Sequence, residues 1–182
     1  MIRMSVGSYI QEVISKCSKC LVVDKPPCVF KIYERYLPKE LITLVVSESP
    51  PPGRKQDYIY NLESRDRLRR VLGEVLGIDE GEVINYLVNH GIFWSTAVKC
   101  RPISKSYLRD MRRNCVYVLI EEIKRLRPKR IVALGRYAWE SVDEALTKLN
   151  LRINVVRHYH PLYLRRFMQW ELPKLRSILL ER

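Results

Sequence analysis

Four cysteines in two pairs carry the plainest chemistry in this chain. Cys17-Ser18-Lys19-Cys20 stands near the start, and Cys100 and Cys115 lie far downstream with fourteen residues between them. Cys17 and Cys20 can reach one centre from a single turn, and Cys100 and Cys115 bracket a loop able to fold over the same centre. By spacing alone such a thiolate set suits zinc or an iron–sulfur cluster about equally. The competing reading is ordinary reduced thiols, with Cys115 buried on its helix. Cys28 makes the count odd, at five; it reads as a bystander thiol or a replacement ligand. The N-terminal segment lacks the continuous apolar core of a secretory signal. The expectation is therefore a cytoplasmic, reduced chain without disulfides.

The elements that must position these residues follow from hydrophobic periodicity. The pattern predicts a helix over 5–16 that delivers Cys17, then an irregular stretch over 21–38. A β-branched run over 41–46 predicts a strand buried on both faces. It stops at Ser47-Glu48-Ser49-Pro50-Pro51-Pro52-Gly53, which is neither helix nor strand. Helices are expected near 64–76 and 80–89, and a second strand over 92–98. A long helix covers 105–127 and stops at Pro128. The third strand, 130–135, ends in a glycine that opens a helix over 136–149. The fourth strand spans 152–156, and a last helix spans 162–180 with an interruption at Pro173. The arginine run 65–70 reads as a solvated helix face.

Strands alternating with helices imply one α/β domain over 1–182. Its expected architecture is a three-layer α/β/α sandwich around a central four-stranded parallel sheet. In such sheets ligands bind beyond the carboxyl ends of the strands. Glu48, Thr96 to Cys100, Gly135 and His160 all fall at those ends, and this convergence marks a site. Of 182 residues, 47% are hydrophobic and 29% charged, a globular composition, and no apolar run reaches the roughly 18 residues of a membrane helix. The formal charge of +13 favours a polyanionic partner.

Three stretches carry a family resemblance. They are Val98-Lys99-Cys100-Arg101-Pro102 with its gap to Cys115, the run from Leu126 through Gly135 to Arg136, and Tyr159-His160-Pro161-Leu162-Tyr163-Leu164-Arg165. Together with the early Cys-x-x-Cys they resemble the iron–sulfur (family four type) uracil-DNA glycosylases of the uracil-DNA glycosylase superfamily. The first motif departs from that family. Ser47-Glu48-Ser49-Pro50-Pro51 stands where the family has Gly-Glu-Ala-Pro-Gly, and Thr96 stands where it has asparagine. The pattern is that of a divergent branch.

The resemblance implies a DNA-repair hydrolase that flips a deaminated base, uracil or a relative, and cleaves its N-glycosidic bond. It implies a [4Fe–4S] cluster on Cys17, Cys20, Cys100 and Cys115, with zinc the alternative. Glu48 would support the sugar cation and orient water, or Ser49 would position that water instead. His160 would stabilise the departing base. Thr96 would line the base pocket, and Tyr58 or Tyr60 would stack on the base. Lys99, Arg101, Arg157, Arg165 and Arg166 would hold DNA phosphates, and Leu162 would supply a wedge. The protein is expected to be monomeric, with DNA as its partner and no membrane. A catalytically silent iron–sulfur nucleic-acid-binding protein is the alternative, and a nucleoside-processing enzyme the more distant one.

Overall fold

The computed structural model describes residues 5–53 and 56–181. Four strands, β1 (Thr43–Ser47), β2 (Ile92–Thr96), β3 (Arg130–Leu134) and β4 (Asn154–His158), form one parallel sheet in the order β2-β1-β3-β4. Their β-branched and aromatic residues explain the burial. β1, β2 and β3 are buried along their whole length, while β4, at the edge, buries only His158 fully. The helices are α1 (Val6–Lys16), α2 (Pro26–Val29), α3 (Ile32–Arg35), α4 (Arg67–Leu76), α5 (Val83–Asn89), α6 (Leu108–Leu126), α7 (Arg136–Leu149), α8 (Pro161–Phe167) and α9 (Leu172–Leu180).

The connections decide the layers. From β1 the chain passes through α4 and α5 to β2 on one side; α6 and α7 then carry it back past β1 to β3 and β4. Right-handed crossovers in opposite directions place their helices on opposite faces. The contacts agree: α4 packs with α5, α8 and α9, whereas α6 packs with α1 and α7. The result is a three-layer α/β/α sandwich. The direction of winding reverses between β1 and β3, and a ligand crevice belongs at the carboxyl ends of those two strands.

Local chemistry fixes the ends of the helices. Ser5 caps α1 by accepting from the Ser8 N–H, and Asp66 caps α4 by accepting from the Arg69 N–H at 2.8 Å. α6 ends with Arg127 in the left-handed region, just before Pro128. Several expectations shift. The second strand, expected over 92–98, ends at Thr96, and the fourth, expected over 152–156, runs over Asn154–His158. The stretch 21–38 contains the short helices α2 and α3, separated by left-handed Lys31. The last helical segment breaks at Met168 (φ −143°, ψ 54°) rather than at Pro173. Pro173 sits in the first turn of α9, where its missing N–H costs nothing.

Candidate functional site

The carboxyl ends of the strands lie level, because Ser47 pairs with Thr96, Val46 with Ala133, and Leu134 with His158. Across that edge the order is therefore Thr96, Glu48, Gly135, and then the turn bearing His160. Glu48 and His160 follow strands two positions apart, about 10 Å at the backbone. Between them lies Gly135 (φ +91°), the N-cap of α7, and a Cβ built there would meet nothing within 4 Å. Backbone order thus sets Gly135, with room for a Cβ, between the segments that carry the acid and the imidazole, at the point where the winding reverses.

Backbone bonds hold both groups. The Ala97 N–H donates to Ser47 O at 2.7 Å and the Val98 N–H to Glu48 O at 3.0 Å, extending the β1–β2 ladder past Glu48. The Gly135 N–H donates to His158 O at 2.9 Å. Glu48 is partly buried, and burial raises its carboxyl above the ordinary value, opposed by Lys105. Ser49 lies beside it with its hydroxyl donating to Pro50 O at 2.9 Å. Thr96 is buried at the end of β2. His160 caps α8: its Nδ1 accepts the Leu162 N–H at 3.2 Å. That bond leaves the proton of a neutral ring on Nε2. Loss of solvation lowers the His160 pKa to about 4, so at neutral pH the ring is an uncharged donor.

A second construction adjoins this edge. Cys17, Cys20, Cys100 and Cys115 line one pocket together with Val22, Lys25, Val98, Met111 and Asn114. α1 ends at Cys17, the N-terminal part of α6 carries Cys115, and the turn after β2 carries Cys100. The sulfurs receive hydrogen bonds: the Lys99 N–H donates to Cys115 Sγ at 3.3 Å, and Asn114 Nδ2 donates to Cys20 Sγ at 3.4 Å. Lys25 Nζ ties the loop down through Ser15 O and Cys17 O, both at 2.6 Å. Burial, with the neighbouring thiols, pushes Cys100 up to about 12. Burial pushes Cys115 up to about 11, against the pull of Lys99. Neither is a poised nucleophile. Four soft donors facing one apolar pocket suit a thiolate-bound metal centre, whose charge would favour the thiolates. Among the described residues no three His, Cys, Asp or Glu side chains form a group that could hold a metal ion. Cys28 stands apart from the pocket, its Sγ directed to Gln11 O at 3.6 Å.

Two residues expected on phosphates are interior instead. Lys99 is fully buried: its Nζ pairs with Glu122 and donates to Ser95 Oγ at 2.7 Å and Thr96 O at 2.6 Å. Arg101 is buried as a clamp. It donates to Asp24 Oδ1 at 2.9 Å, Pro51 O at 3.0 Å and Asp57 O at 3.1 Å, stapling the loop after Glu48 to the early cysteine loop. Tyr58 and Tyr60 are core residues. Tyr58 stacks on Phe30, and the Tyr60 hydroxyl donates to Trp94 O at 2.9 Å. In these positions neither ring offers a face to an extruded base. Arg69 likewise leaves the solvated face assigned to it and bonds the carbonyls of Ile59, Asn61 and Ser64.

The model of the uracil DNA glycosylase superfamily matches residues 35–181. The chain belongs to the uracil DNA glycosylase superfamily. No curated protein matches it in sequence. The superfamily match covers Glu48, Thr96, Cys100, Cys115 and His160, while Cys17 and Cys20 precede it. Members of this superfamily are glycosylases that act on DNA, and among the described residues no helix is long and apolar enough to cross a membrane.

For a superfamily that meets DNA, the exposed side of this edge matters. Arg157 is exposed and pairs with Asp143 at 2.6 Å, and Arg165 pairs with Glu74 at 3.3 Å. Arg166 lies over the Phe167 ring at 5.0 Å. Leu162 is exposed, whereas Leu164 is fully buried, so of these two leucines Leu162 is the one free to act as a wedge. Three contributors were missed from sequence: Asp24, Lys25 and Glu122. Glu122 had a readable signal. It lies seven residues after Cys115 and four after Val118, on the apolar stripe of α6, where an unpaired acid is costly.

Proposed function

We propose that this chain is a DNA-repair glycosylase that extrudes a deaminated base, uracil or a relative, and hydrolyses its N-glycosidic bond. One observation supports the reading: the segments bearing Glu48 and His160 follow strands on either side of β3, whose end at Gly135 has room for a Cβ, at the winding reversal of the sheet. A nucleoside entering there would bring its sugar toward the acid and its base toward the imidazole. As the bond breaks, its electron pair leaves with the base, and the Nε2–H of neutral His160 donates to the base oxygen that gains charge. The Glu48 carboxylate faces the sugar cation. It then takes a proton from the water whose oxygen bonds to the anomeric carbon, and its raised pKa makes it a better base for that step.

Cys17, Cys20, Cys100 and Cys115 would hold a [4Fe–4S] cluster, which as a thiolate-bound centre would brace the loops on either side of the site. Purified protein that carries iron and inorganic sulfide supports this assignment; colourless protein with stoichiometric zinc refutes it.

The test is excision on uracil-, hypoxanthine- and xanthine-containing DNA, duplex and single-stranded. Abasic product should appear on at least one substrate, and Glu48→Ala and His160→Ala should each lower the rate by roughly 10²–10⁴-fold. Absence of product from every substrate by cluster-loaded protein sinks the reading. It would leave the second one, a silent DNA-binding protein on this fold, which the burial of Tyr58 and Tyr60 favours.

A further inference from the structure

Beside His160 three aromatic rings form an exposed ladder. Tyr159, Tyr163 and Phe167 recur every four residues and are 44%, 45% and 53% exposed. Their centroids follow one another at 5.3 Å and 5.0 Å, and Trp139 continues the row inward at 6.0 Å from Tyr159. Trp170, at 73% exposure, lies just past the outer end. The opposite side of α8 is anchored by Leu164 and Pro161, which are buried. The ladder is therefore not the core face of the helix. Ring contacts between helix neighbours stabilise a helix only slightly, too little to account for three large rings left side by side in water.

Cations accompany the rings. Arg166 sits over Phe167 and makes no ion pair with a carboxylate among the described residues, while Arg157 and Arg165, near the row in sequence, pair with Asp143 and Glu74. Aromatic rings interleaved with guanidinium groups suit a polyanion carrying flat apolar faces. A duplex hides the faces of its bases within its own stack. A single strand offers one face per nucleotide; the three rings pack against one another at 5.3 Å and 5.0 Å, which leaves no room for a base between them, so bases would lie against their roughly half-exposed outer surfaces.

We propose that Tyr159, Tyr163 and Phe167 form a stacking track for single-stranded DNA that runs from the His160 edge along α8, receiving the nucleotides beside the one drawn into the site. This deepens the proposed function and rests on its DNA-directed reading of the edge. It is tested by binding alone, so it stands or falls apart from excision. An undamaged, labelled oligothymidylate of about sixteen nucleotides and a duplex of the same length are titrated by fluorescence anisotropy at fixed salt. Tyr163→Ala and Phe167→Ala should each weaken single-strand binding about tenfold, and duplex binding should hold within about twofold. Tyr163→Phe, which keeps the ring, should bind the single strand as the parent does. Three results overturn the proposal. One is an equal loss on single strand and duplex, which marks a structural role for the helix. Another is no loss at all. The last is light scattering in which the parent self-associates and Tyr163→Ala does not, which makes the face an interface between copies. Circular dichroism of each variant shows whether α8 is intact, and the Tyr163→Phe comparison keeps its meaning even if an alanine variant unfolds.

Discussion

At the scale of single residues the proposed reaction rests on two groups moved from their ordinary ionisation in opposite directions. Burial raises Glu48 and lowers His160 to about 4. The imidazole is thus already neutral where the carboxylate must still lose its proton. A reaction needing ionised Glu48 and neutral His160 should fall off on the acid side, with a midpoint above the ordinary carboxylate value that belongs to Glu48. The rate should then be flat through neutrality with no limb near 6.5. Rate against pH under single-turnover conditions checks this, and Glu48→Gln should abolish the limb along with most of the rate. Stability carries the complementary sign. His160 binds a proton less readily folded than unfolded, so its contribution is complete above the unfolded value of 6.5 and is lost as pH falls toward about 4. The melting temperature of parent protein should drop across that window more than that of His160→Asn. Ring and acid were both legible in the sequence, since each follows an apolar strand pattern at its carboxyl end. The fate of Tyr58 and Tyr60 was not: spacing from a motif gives chain distance, while the direction of a ring depends on partners such as Phe30 and Trp94 that lie remote in sequence.

At the scale of elements, the segment from β2 to Cys100 links the two halves of the candidate site, because one end is bonded to the Glu48 backbone and the other supplies a thiol. A buried polar network fixes it. Glu122 on α6 accepts from Ser95 Oγ at 2.7 Å and from Tyr33 Oη at 2.5 Å, while Lys99 pairs with the other oxygen and also bonds Thr96 O at 2.6 Å. Every member is satisfied, the condition under which a buried charge pair persists. Removing one partner leaves the other charge buried and alone. Glu122→Leu should therefore cost about 3–5 kcal/mol in denaturant unfolding, and the double variant Lys99→Met, Glu122→Leu should recover much of that. The Lys99 backbone also donates to Cys115, so in protein that carries the proposed cluster Glu122→Leu should lower iron content per chain even at temperatures where the protein stays folded. The alternation of strands and helices that frames this network was readable from period and proline placement. The role of Lys99 was not. Beside Cys100 and Arg101 it reads as part of a basic cluster, and only the fold reveals the acid of α6 opposite it.

At the scale of the whole molecule, the charge of +13 comes from 33 Lys and Arg against 20 Asp and Glu. Such a field draws in a polyanion from any direction, and the fold decides which cations meet it. Each phosphate neutralised releases counterions, so the logarithm of the DNA affinity should fall linearly with the logarithm of salt, with a slope that counts phosphate contacts. Arg101 spends its guanidinium on Asp24, Pro51 O and Asp57 O inside the protein, whereas Arg166 carries an exposed one. The two arginines should therefore separate. Arg166→Gln should reduce the magnitude of the slope by about one with little change in melting temperature. Arg101→Gln should leave the slope unchanged while lowering the melting temperature, because it unstaples the Glu48 loop from the cysteine loop. Affinity for an undamaged duplex across a salt series, measured beside thermal melting, reads both quantities. A drop in slope on Arg101→Gln in still-folded protein would return that residue to the DNA surface and undo its assignment as an internal clamp.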